Sequence, residues 1–455
     1  MLTIGCGPDA AELRAADPRP NVLLVSLDTT RSDHLSVYGY ERETSPHLMA
    51  LASQGVRFDA AYAPSASTGP SHASLFTSLY PMTHRVIKNG RRLGDGFETL
   101  AEILRDSGYT TGGVVSSFVL SRRFGYGQGF EAFDDDFSRA NVPSGTTLWE
   151  GREIEGKFWA SADDTTRRAI EWLDDRRAAE RPFFLFVHYF DPHEHHLLPS
   201  GYRPPFEPGP KEALKLNRQI FRYDTQISFM DREIGRLLTA LAERGLDRDS
   251  LIVVAGDHGE GLMQHGHMFH GAQIYEEDVR VPLILRWLGE LAGPRVLVGP
   301  MELMDLAPTL LELIGVTGGE DLRGRSLAKL LRGESKPEVE RSIHLYRRHY
   351  APRLDDEANR EPGLTPGIEP KGEKFGLRVG HWKLIEGPDE GSLELYDLES
   401  DPGEHVDLAQ REPERVETLR GMLAAWRSEH THADLDVTGP SEEERARLEA
   451  LGYGE

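Results

Sequence analysis

The chain has 455 residues, of which 38% are hydrophobic, and it carries a formal net charge of −23. This length is enough to bury a large core, and the composition is typical of a globular protein. The acidic excess argues against a nucleic acid partner, because phosphate backbones select basic faces, whereas a bound dication could still attract a small anionic ligand.

The first 20 residues indicate a disordered tail or the remnant of a signal sequence. Gly5, Cys6 and Gly7 follow a short apolar stretch and resemble the end of a bacterial lipoprotein signal, although the charged n-region is missing. Cys6 is the only cysteine, which excludes an internal disulfide framework. Two locations stay open: the bacterial periplasm or a lipoprotein if Cys6 is a lipidation site, and otherwise the cytoplasm.

Apolar runs typical of buried parallel strands alternate with helical patterns along the first two thirds of the chain. The strands are predicted at 21–27, 111–116, 183–188 and 251–255, and the helices at 100–107, 163–177 and 221–244. This alternation predicts an α/β fold with a mixed, mainly parallel sheet and helices on both of its faces. No run of about 18 apolar residues is present, so we predict no transmembrane segment.

The C-terminal part has a different pattern. Short strands are predicted at 374–379, 381–385 and 393–398, and a final helix is predicted to start at Ser441. We therefore predict a catalytic domain at 21–341 and a small α+β subdomain with antiparallel strands at 342–455. The sequence gives no indication of the oligomeric state.

Polar side chains follow the ends of the predicted strands. Asp28 follows the first strand, Asp191 and His193 follow the third, and Asp257 and His258 follow the fourth. Open α/β sheets place their sites at the carboxyl ends of strands, so these side chains are candidate ligands. Aspartate and histidine together suit Zn²⁺ or Mn²⁺ better than Ca²⁺, which prefers oxygen ligands. We predict one or two divalent ions, with Zn²⁺ or Mn²⁺ favoured and Ca²⁺ as a further option.

Several short stretches, taken together, resemble the sulfatase branch of the alkaline phosphatase superfamily. They are VSLDTTRSDHL at 25–35, YGYERETSPHL at 38–48, SHASLFTSLYP at 71–81, GDHGE at 256–260, EEDVRVP at 276–282 and ELYDLESDPGE at 394–404. Each stretch is weakly specific, but their order and spacing make the resemblance strong over nearly the whole chain. The resemblance implies an alkaline-phosphatase-like fold and an enzyme that hydrolyses ester bonds.

The nucleophile segment departs from the sulfatase pattern. Sulfatases carry Cys-x-Pro-Ser-Arg and convert the Cys, or in some bacteria a Ser, into formylglycine; here Thr68 and His72 stand at the nucleophile and Arg positions. Threonine cannot be oxidised to that aldehyde. Thr29 replaces a second aspartate, and His270 stands where sulfatases have a lysine that contacts sulfate. These differences argue against ordinary sulfate ester hydrolysis.

The phosphatase side of the superfamily uses a Ser or Thr alkoxide that attacks phosphorus between two metal ions. By this resemblance one ion would be held by Asp28, Thr68, Asp257 and His258, and the other by Asp191, His195 and His270. His193 aligns with a sulfatase histidine and competes with His195, and spacing alone does not decide between them. His72 would either donate a hydrogen bond to a non-bridging oxygen or serve as a helix-start residue.

The favoured hypothesis is a metal-dependent ester hydrolase in which a Thr68 alkoxide attacks a phosphoester or a phosphonate, with His72 and His193 as further catalytic candidates. One alternative is a sulfuric ester hydrolase that acts without formylglycine. Others are a phospho-group transferase and a non-catalytic protein that binds an anionic ligand. In each case the ligand is a small molecule, a glycan or a lipid headgroup with an anionic ester, whose identity the sequence does not give.

Overall fold

The computed structural model describes residues 19–140, 142, 145–149, 152–175, 181–194, 201–209, 215–350 and 371–430. The helices are α1 (Pro46–Ala52), α2 (Thr68–Thr77), α3 (Pro81–His84), α4 (Leu100–Asp106), α5 (Ala162–Asp175), α6 (Lys215–Glu243), α7 (Glu276–Val279), α8 (Leu306–Leu313), α9 (Ala328–Arg332) and α10 (Pro413–His430). The strands are β1 (Asn21–Leu27), β2 (Val56–Tyr62), β3 (Thr110–Val114), β4 (Ala132–Asp134), β5 (Gly145–Trp149), β6 (Arg152–Gly156), β7 (Phe183–Tyr189), β8 (Ser250–Gly256), β9 (Gly261–Leu262), β10 (Met268–Phe269), β11 (Arg280–Arg286), β12 (Arg295–Glu302), β13 (Ser342–Tyr350), β14 (Gly372–Val379), β15 (Trp382–Gly387) and β16 (Ser392–Asp397).

An eight-stranded sheet forms the centre of the molecule, in the order β12-β2-β11-β8-β1-β7-β3-β4. β1 pairs in parallel with both β7 and β8, whereas β11 is antiparallel to its neighbours β2 and β8. The predicted mixed, mainly parallel sheet is therefore confirmed. All seven residues of β1 are buried, as expected for a central strand that is covered on both faces.

Helices cover both faces of this sheet, because successive residues of a strand point to opposite sides. Val22 and Leu24 of β1 join a core that includes α2, α4, α8 and α9. Leu23 and Val25 join a second core with α1, α5 and α6. The apolar stripe of α6, predicted at 221–244, fills much of the second core, and the helix itself begins earlier, at Lys215.

A four-stranded antiparallel sheet, β13-β14-β15-β16, follows in the chain, with α10 packed against it. This sheet confirms the predicted antiparallel C-terminal strands, whereas α10 was not predicted and the helix predicted from Ser441 lies outside the described residues. Lys383 of β15 is buried, and its Nζ lies 3.0 Å from Glu276 Oε1 and 2.9 Å from Glu404 Oε1. This buried ion-pair group ties the small sheet to α7, next to β11 of the large sheet. The domain bounds remain a prediction.

Within the part of the chain that the structure describes, no helix has both the length and the apolar composition required to cross a bilayer.

Candidate active site

The ends of β1 and β8 bring two aspartates to the same level of the sheet. Leu27 pairs with Gly256 in the parallel register, so that Asp28 and Asp257 are the next residues on the two strands. Asp257 Oδ1 accepts hydrogen bonds from the backbone N–H groups of Thr29, at 3.1 Å, and His258, at 2.7 Å. Its other oxygen, Oδ2, accepts no hydrogen bond from the described residues.

Thr68 is the first residue of α2, a helix whose ten residues are all buried. Its Oγ1 lies 3.2 Å from His258 Nε2. The next residue is held at both backbone groups: Gly69 N–H donates to Asn89 Oδ1 at 2.7 Å, and Tyr126 OH donates to the Gly69 carbonyl at 2.7 Å. A Cβ at Gly69 would come within 2.9 Å of Asn89 Oδ1 and 3.2 Å of Tyr126 OH, so a larger residue would displace the side chains that hold this turn. The turn that presents the Thr68 hydroxyl is thus rigidly held, by side chains that the sequence analysis did not identify.

His258 presents an unprotonated nitrogen to this group. Its Nδ1–H donates to the Gly259 carbonyl at 2.9 Å, and burial, together with the neighbouring His270, holds its pKa well below the usual value. The Nε2 lone pair therefore accepts a hydrogen bond from the Thr68 hydroxyl at 3.2 Å, and Nε2 lies 3.6 Å from Asp28 Oδ1 and 3.5 Å from Asp257 Oδ2. Neither carboxylate oxygen accepts a hydrogen bond from the described residues.

Two buried carboxylate oxygens that lack a hydrogen-bond donor and lie beside an imidazole nitrogen repel one another unless a cation lies between them. Asp28, Asp257 and His258 each place a ligand atom within 4.8 Å of the others. Burial, followed by the nearby charge of Asp28, raises the pKa of Asp257 well above its usual value, and a divalent ion would reverse that effect. Two carboxylates and one imidazole fit such an ion.

Two further histidines, His270 and His193, lie next to this group of ligand atoms. The His270 ring lies 4.6 Å from that of His258, and the His193 ring lies 4.9 Å from that of His270. His193 also stacks on Phe190, with ring centroids 4.3 Å apart. Glu260, which is buried, has Oε1 3.4 Å from His270 Nδ1. The sequence-predicted His193 and His270 therefore lie beside the predicted ligand group, in a row that starts at His258.

Asp191, a predicted ligand of the second ion, is hydrogen-bonded to the start of α5. Its Oδ1 accepts a hydrogen bond from the backbone N–H of Ala162, at the first residue of α5, at 2.9 Å. Burial raises the pKa of Asp191 to about 8. Asp191 belongs to none of the close ligand groups found among the described residues. His195 is not one of the residues that the structure describes. The second ion site, with Asp191, His195 and His270, therefore stays a prediction.

His72 uses both ring nitrogens inside the protein. Its Nδ1–H donates to the Thr68 carbonyl at 2.7 Å, and Nε2 accepts from the Ser26 hydroxyl at 2.8 Å. Burial lowers its pKa to about 3, which keeps the ring neutral. This bonding favours a role in holding the Thr68 turn over the predicted contact with a substrate oxygen.

The sequence analysis missed His188. It lies in β7, is fully buried, and its Nε2 is 3.1 Å from Asp28 Oδ2. In the sequence His188 is a single histidine near the end of an otherwise apolar strand, a pattern that predicts a core strand and does not by itself indicate a functional histidine.

Comparison with known proteins identifies the family to which the chain belongs. The family model "Sulfatase" matches residues 20–316, and the model "N-sulphoglucosamine sulphohydrolase, C-terminal" matches residues 264–425. The steryl-sulfatase of Mus musculus is 26% identical, over 94% of this chain and 86% of the relative. A putative sulfatase from Bacteroides fragilis superposes with a TM-score of 0.72 at 22% identity, covering 93% of this chain and 98% of that one. The phosphonate monoester hydrolase of Agrobacterium radiobacter superposes with a TM-score of 0.70 at 24% identity, covering 93% and 99%. The chain belongs to the sulfatase family, within the alkaline phosphatase superfamily, and is a hydrolase of ester bonds.

Proposed function

We propose that this protein hydrolyses a phosphoester or a phosphonate with the Thr68 hydroxyl as the nucleophile, at a divalent ion held by Asp28, Asp257 and His258. The observation that carries the proposal is the 3.2 Å between Thr68 Oγ1 and His258 Nε2, inside a buried group of ligand atoms suited to a cation. Members of the superfamily bind a divalent metal ion. Such an ion, when bound, would lower the pKa of the Thr68 hydroxyl and offset the charge of an anionic substrate.

Threonine restricts the chemistry at this position. Its Cβ carries a methyl group, so it has no route to the formylglycine aldehyde that ordinary sulfatases use. Attack by Thr68 Oγ1 on phosphorus would form one O–P bond as the bond to the leaving group breaks, and the leaving oxygen would take up a proton. Water would then attack the same phosphorus, the O–P bond to Thr68 would break, and one proton of the water would pass to the Thr68 oxygen. The reaction is a hydrolysis in two displacements.

The protein groups around Thr68 support this use. His72 and the side chains that hold Gly69 fix the first turn of α2, so little conformational freedom is lost when the hydroxyl attacks. The predicted catalytic residue His193, with His270 beside it, lies at the outer end of the histidine row. A histidine N–H there would donate a hydrogen bond to a substrate oxygen or to the leaving group, as general acids do.

The substrate class is argued from charge. The protein as a whole is strongly acidic, with 75 Asp and Glu against 52 Lys and Arg. An anionic ester would therefore depend on the ion and the nearby histidines for its attraction. A phosphorus ester is favoured over a sulfate because threonine cannot supply formylglycine, whereas the fold is shared with sulfatases and a phosphonate monoester hydrolase alike.

The test is a side-by-side assay of the protein reconstituted with Zn²⁺ or Mn²⁺, on an aryl phosphate monoester, an aryl phosphodiester, an aryl phosphonate and an aryl sulfate. Thr68→Val is the matched variant, because valine keeps the shape of threonine and replaces the hydroxyl by a methyl group. We expect turnover of a phosphorus ester by the wild type and a loss of about 10³-fold or more in the variant, typical of a removed nucleophile.

Unchanged turnover in Thr68→Val would overturn the role of the threonine. Turnover of the sulfate alone would identify a sulfuric ester hydrolase that acts without formylglycine. Transfer of the phosphoryl group to an added alcohol in preference to water would identify a transferase, and binding of ligand with no turnover of any ester would identify a non-catalytic binder.

A further inference from the structure

His188 contacts the predicted ligand Asp28 from the side opposite to His258. Its Nε2 lies 3.1 Å from Asp28 Oδ2, while Asp28 Oδ1 lies 3.6 Å from His258 Nε2. Both His188 and Asp28 are fully buried. One oxygen of the carboxylate is thus bound by a histidine, and the other is left without a hydrogen bond from the described residues. This division leaves a single oxygen of Asp28 for an ion.

The hydrogen bond joins two strands whose relative position is fixed. β1 and β7 pair in parallel with Leu27 opposite Tyr189, and the Asp28 N–H donates to the Tyr189 carbonyl at 2.9 Å. The His188 carbonyl in turn accepts from the Ser116 hydroxyl at 2.5 Å. Because both backbones are held by the sheet, the imidazole sets the rotation of the Asp28 carboxylate.

We propose that His188 is a positioning residue that orients Asp28 for a divalent ion. The proposal rests on the ion site of the proposed function, but not on Thr68 as the nucleophile or on phosphorus as the reacting atom. Outer hydrogen-bond partners of metal ligands fix the orientation of the ligand and tune its charge, and their loss typically costs 10–100-fold in metal affinity. The carboxylate of Asp28 is the ligand that would lose its orientation here.

Direct ligation by His188 is the competing role. Ligand atoms of His72, His188 and Asp257 also lie within 4.8 Å of one another, so the distances alone would allow a second ion. The bonding of His72 argues against it, because its Nδ1–H is donated to the Thr68 carbonyl and its Nε2 accepts from Ser26. An ion there would have to break one of these hydrogen bonds. The His188 Nε2 atom is already bonded to Asp28 Oδ2, and its Nδ1 has no hydrogen-bond partner among the described residues.

The experiment compares three variants that differ in the N–H group offered to Asp28. His188→Gln keeps a donor at a reach similar to Nε2, His188→Met keeps the volume without a donor, and His188→Asn keeps an amide that is one bond too short. Affinity and stoichiometry for Mn²⁺ and Zn²⁺ are measured by calorimetry on the metal-free proteins. The melting temperature is recorded with and without ion, since binding to the folded state raises it.

We expect His188→Met and His188→Asn to bind the ion about 10–100-fold more weakly than the wild type, and His188→Gln to bind within about 3-fold. If His188→Met does not fold without metal, the ion affinities of His188→Asn and His188→Gln are compared with each other, and weaker binding by the Asn variant supports the positioning role. Equal affinity in all four proteins would overturn the positioning role and leave the proposed function intact. Loss of one of two bound ions in every variant would also overturn it, because His188 would then be a ligand. A wild type that binds no ion would overturn the ion site of the proposed function and this proposal with it.

Discussion

His84, at the C-terminus of α3, makes the folded protein sensitive to acid. The imidazole is buried, Nδ1 accepts a hydrogen bond from the Val86 N–H at 3.1 Å, and Nε2–H donates to the Ser74 hydroxyl at 3.0 Å. A second proton would therefore have to be placed on Nδ1, against an N–H group. Burial lowers the pKa of His84 to about 3, whereas an unfolded histidine titrates near 6.5.

The sign of the effect follows from the number of protons that each state binds. Between pH 6.5 and about 3 the unfolded chain takes up a proton at this position and the native protein does not. Stability therefore falls as the pH is lowered through 6.5, and is independent of this group above it. At pH 5 the solution is about 1.5 pH units below the pKa of the unfolded histidine, which corresponds to about 2 kcal/mol of lost stability.

The measurement is urea unfolding of the wild type and His84→Asn at pH 7.5 and pH 5. Asparagine does not titrate, and its side-chain oxygen can accept the Val86 N–H two residues on. We expect the variant to be less stable at pH 7.5, because it loses the bond to Ser74, and the gap between the two proteins to shrink by about 2 kcal/mol at pH 5. A gap that is the same at both pH values would refute the reasoning, since all other titrating groups are common to the two proteins.

Three further substitutions test the site and its support. Thr68→Ser keeps the hydroxyl and loses a buried methyl group worth about 0.8 kcal/mol, so we expect kcat/KM on a phosphorus ester to fall by no more than about tenfold; a loss as deep as that of Thr68→Val would contradict it. Gly259→Ala would place a Cβ 1.9 Å from the Glu277 carbonyl oxygen, so the ion affinity measured by calorimetry and the melting temperature should both fall. The control Gly421→Ala, in open space within α10, should leave the ion affinity unchanged and raise the melting temperature slightly, because alanine is the better helix former. If Gly259→Ala matched the wild type, the position of His258 would not depend on this contact. Lys383→Met removes the ammonium from two buried carboxylates, which keep only the hydrogen bonds from Tyr62 OH and the Glu276 N–H, and we expect urea unfolding to show a loss of about 3–5 kcal/mol. A loss below 1 kcal/mol would mean that the ion-pair group does little for stability.

Parts of the site could be read from the sequence because they depend on strand ends. Asp28 and Asp257 each follow an apolar run, and parallel strands bring their carboxyl ends to one edge of a sheet. The register Leu27 to Gly256 places the two aspartates side by side, as that rule requires. β2 was not predicted, because it lacks the continuous apolar run of β1 and β8. β2 has intermediate burial at Arg57 and Asp59, and its pattern alone does not show that it pairs between β12 and β11.

The sequence by itself determined the α/β class, the strand-end aspartates and the presence of a threonine where formylglycine would form, because each of these is a local property of the chain. Only the tertiary structure decided that His188 contacts Asp28, that His72 turns inward to the Thr68 carbonyl, and that Thr68 lies against His258. Thr68 and His258 are 190 residues apart, and His188 is 160 residues from Asp28. Such contacts depend on strand register and helix packing, and the same side chain at the same sequence position points into the core, into the site or to solvent according to that packing.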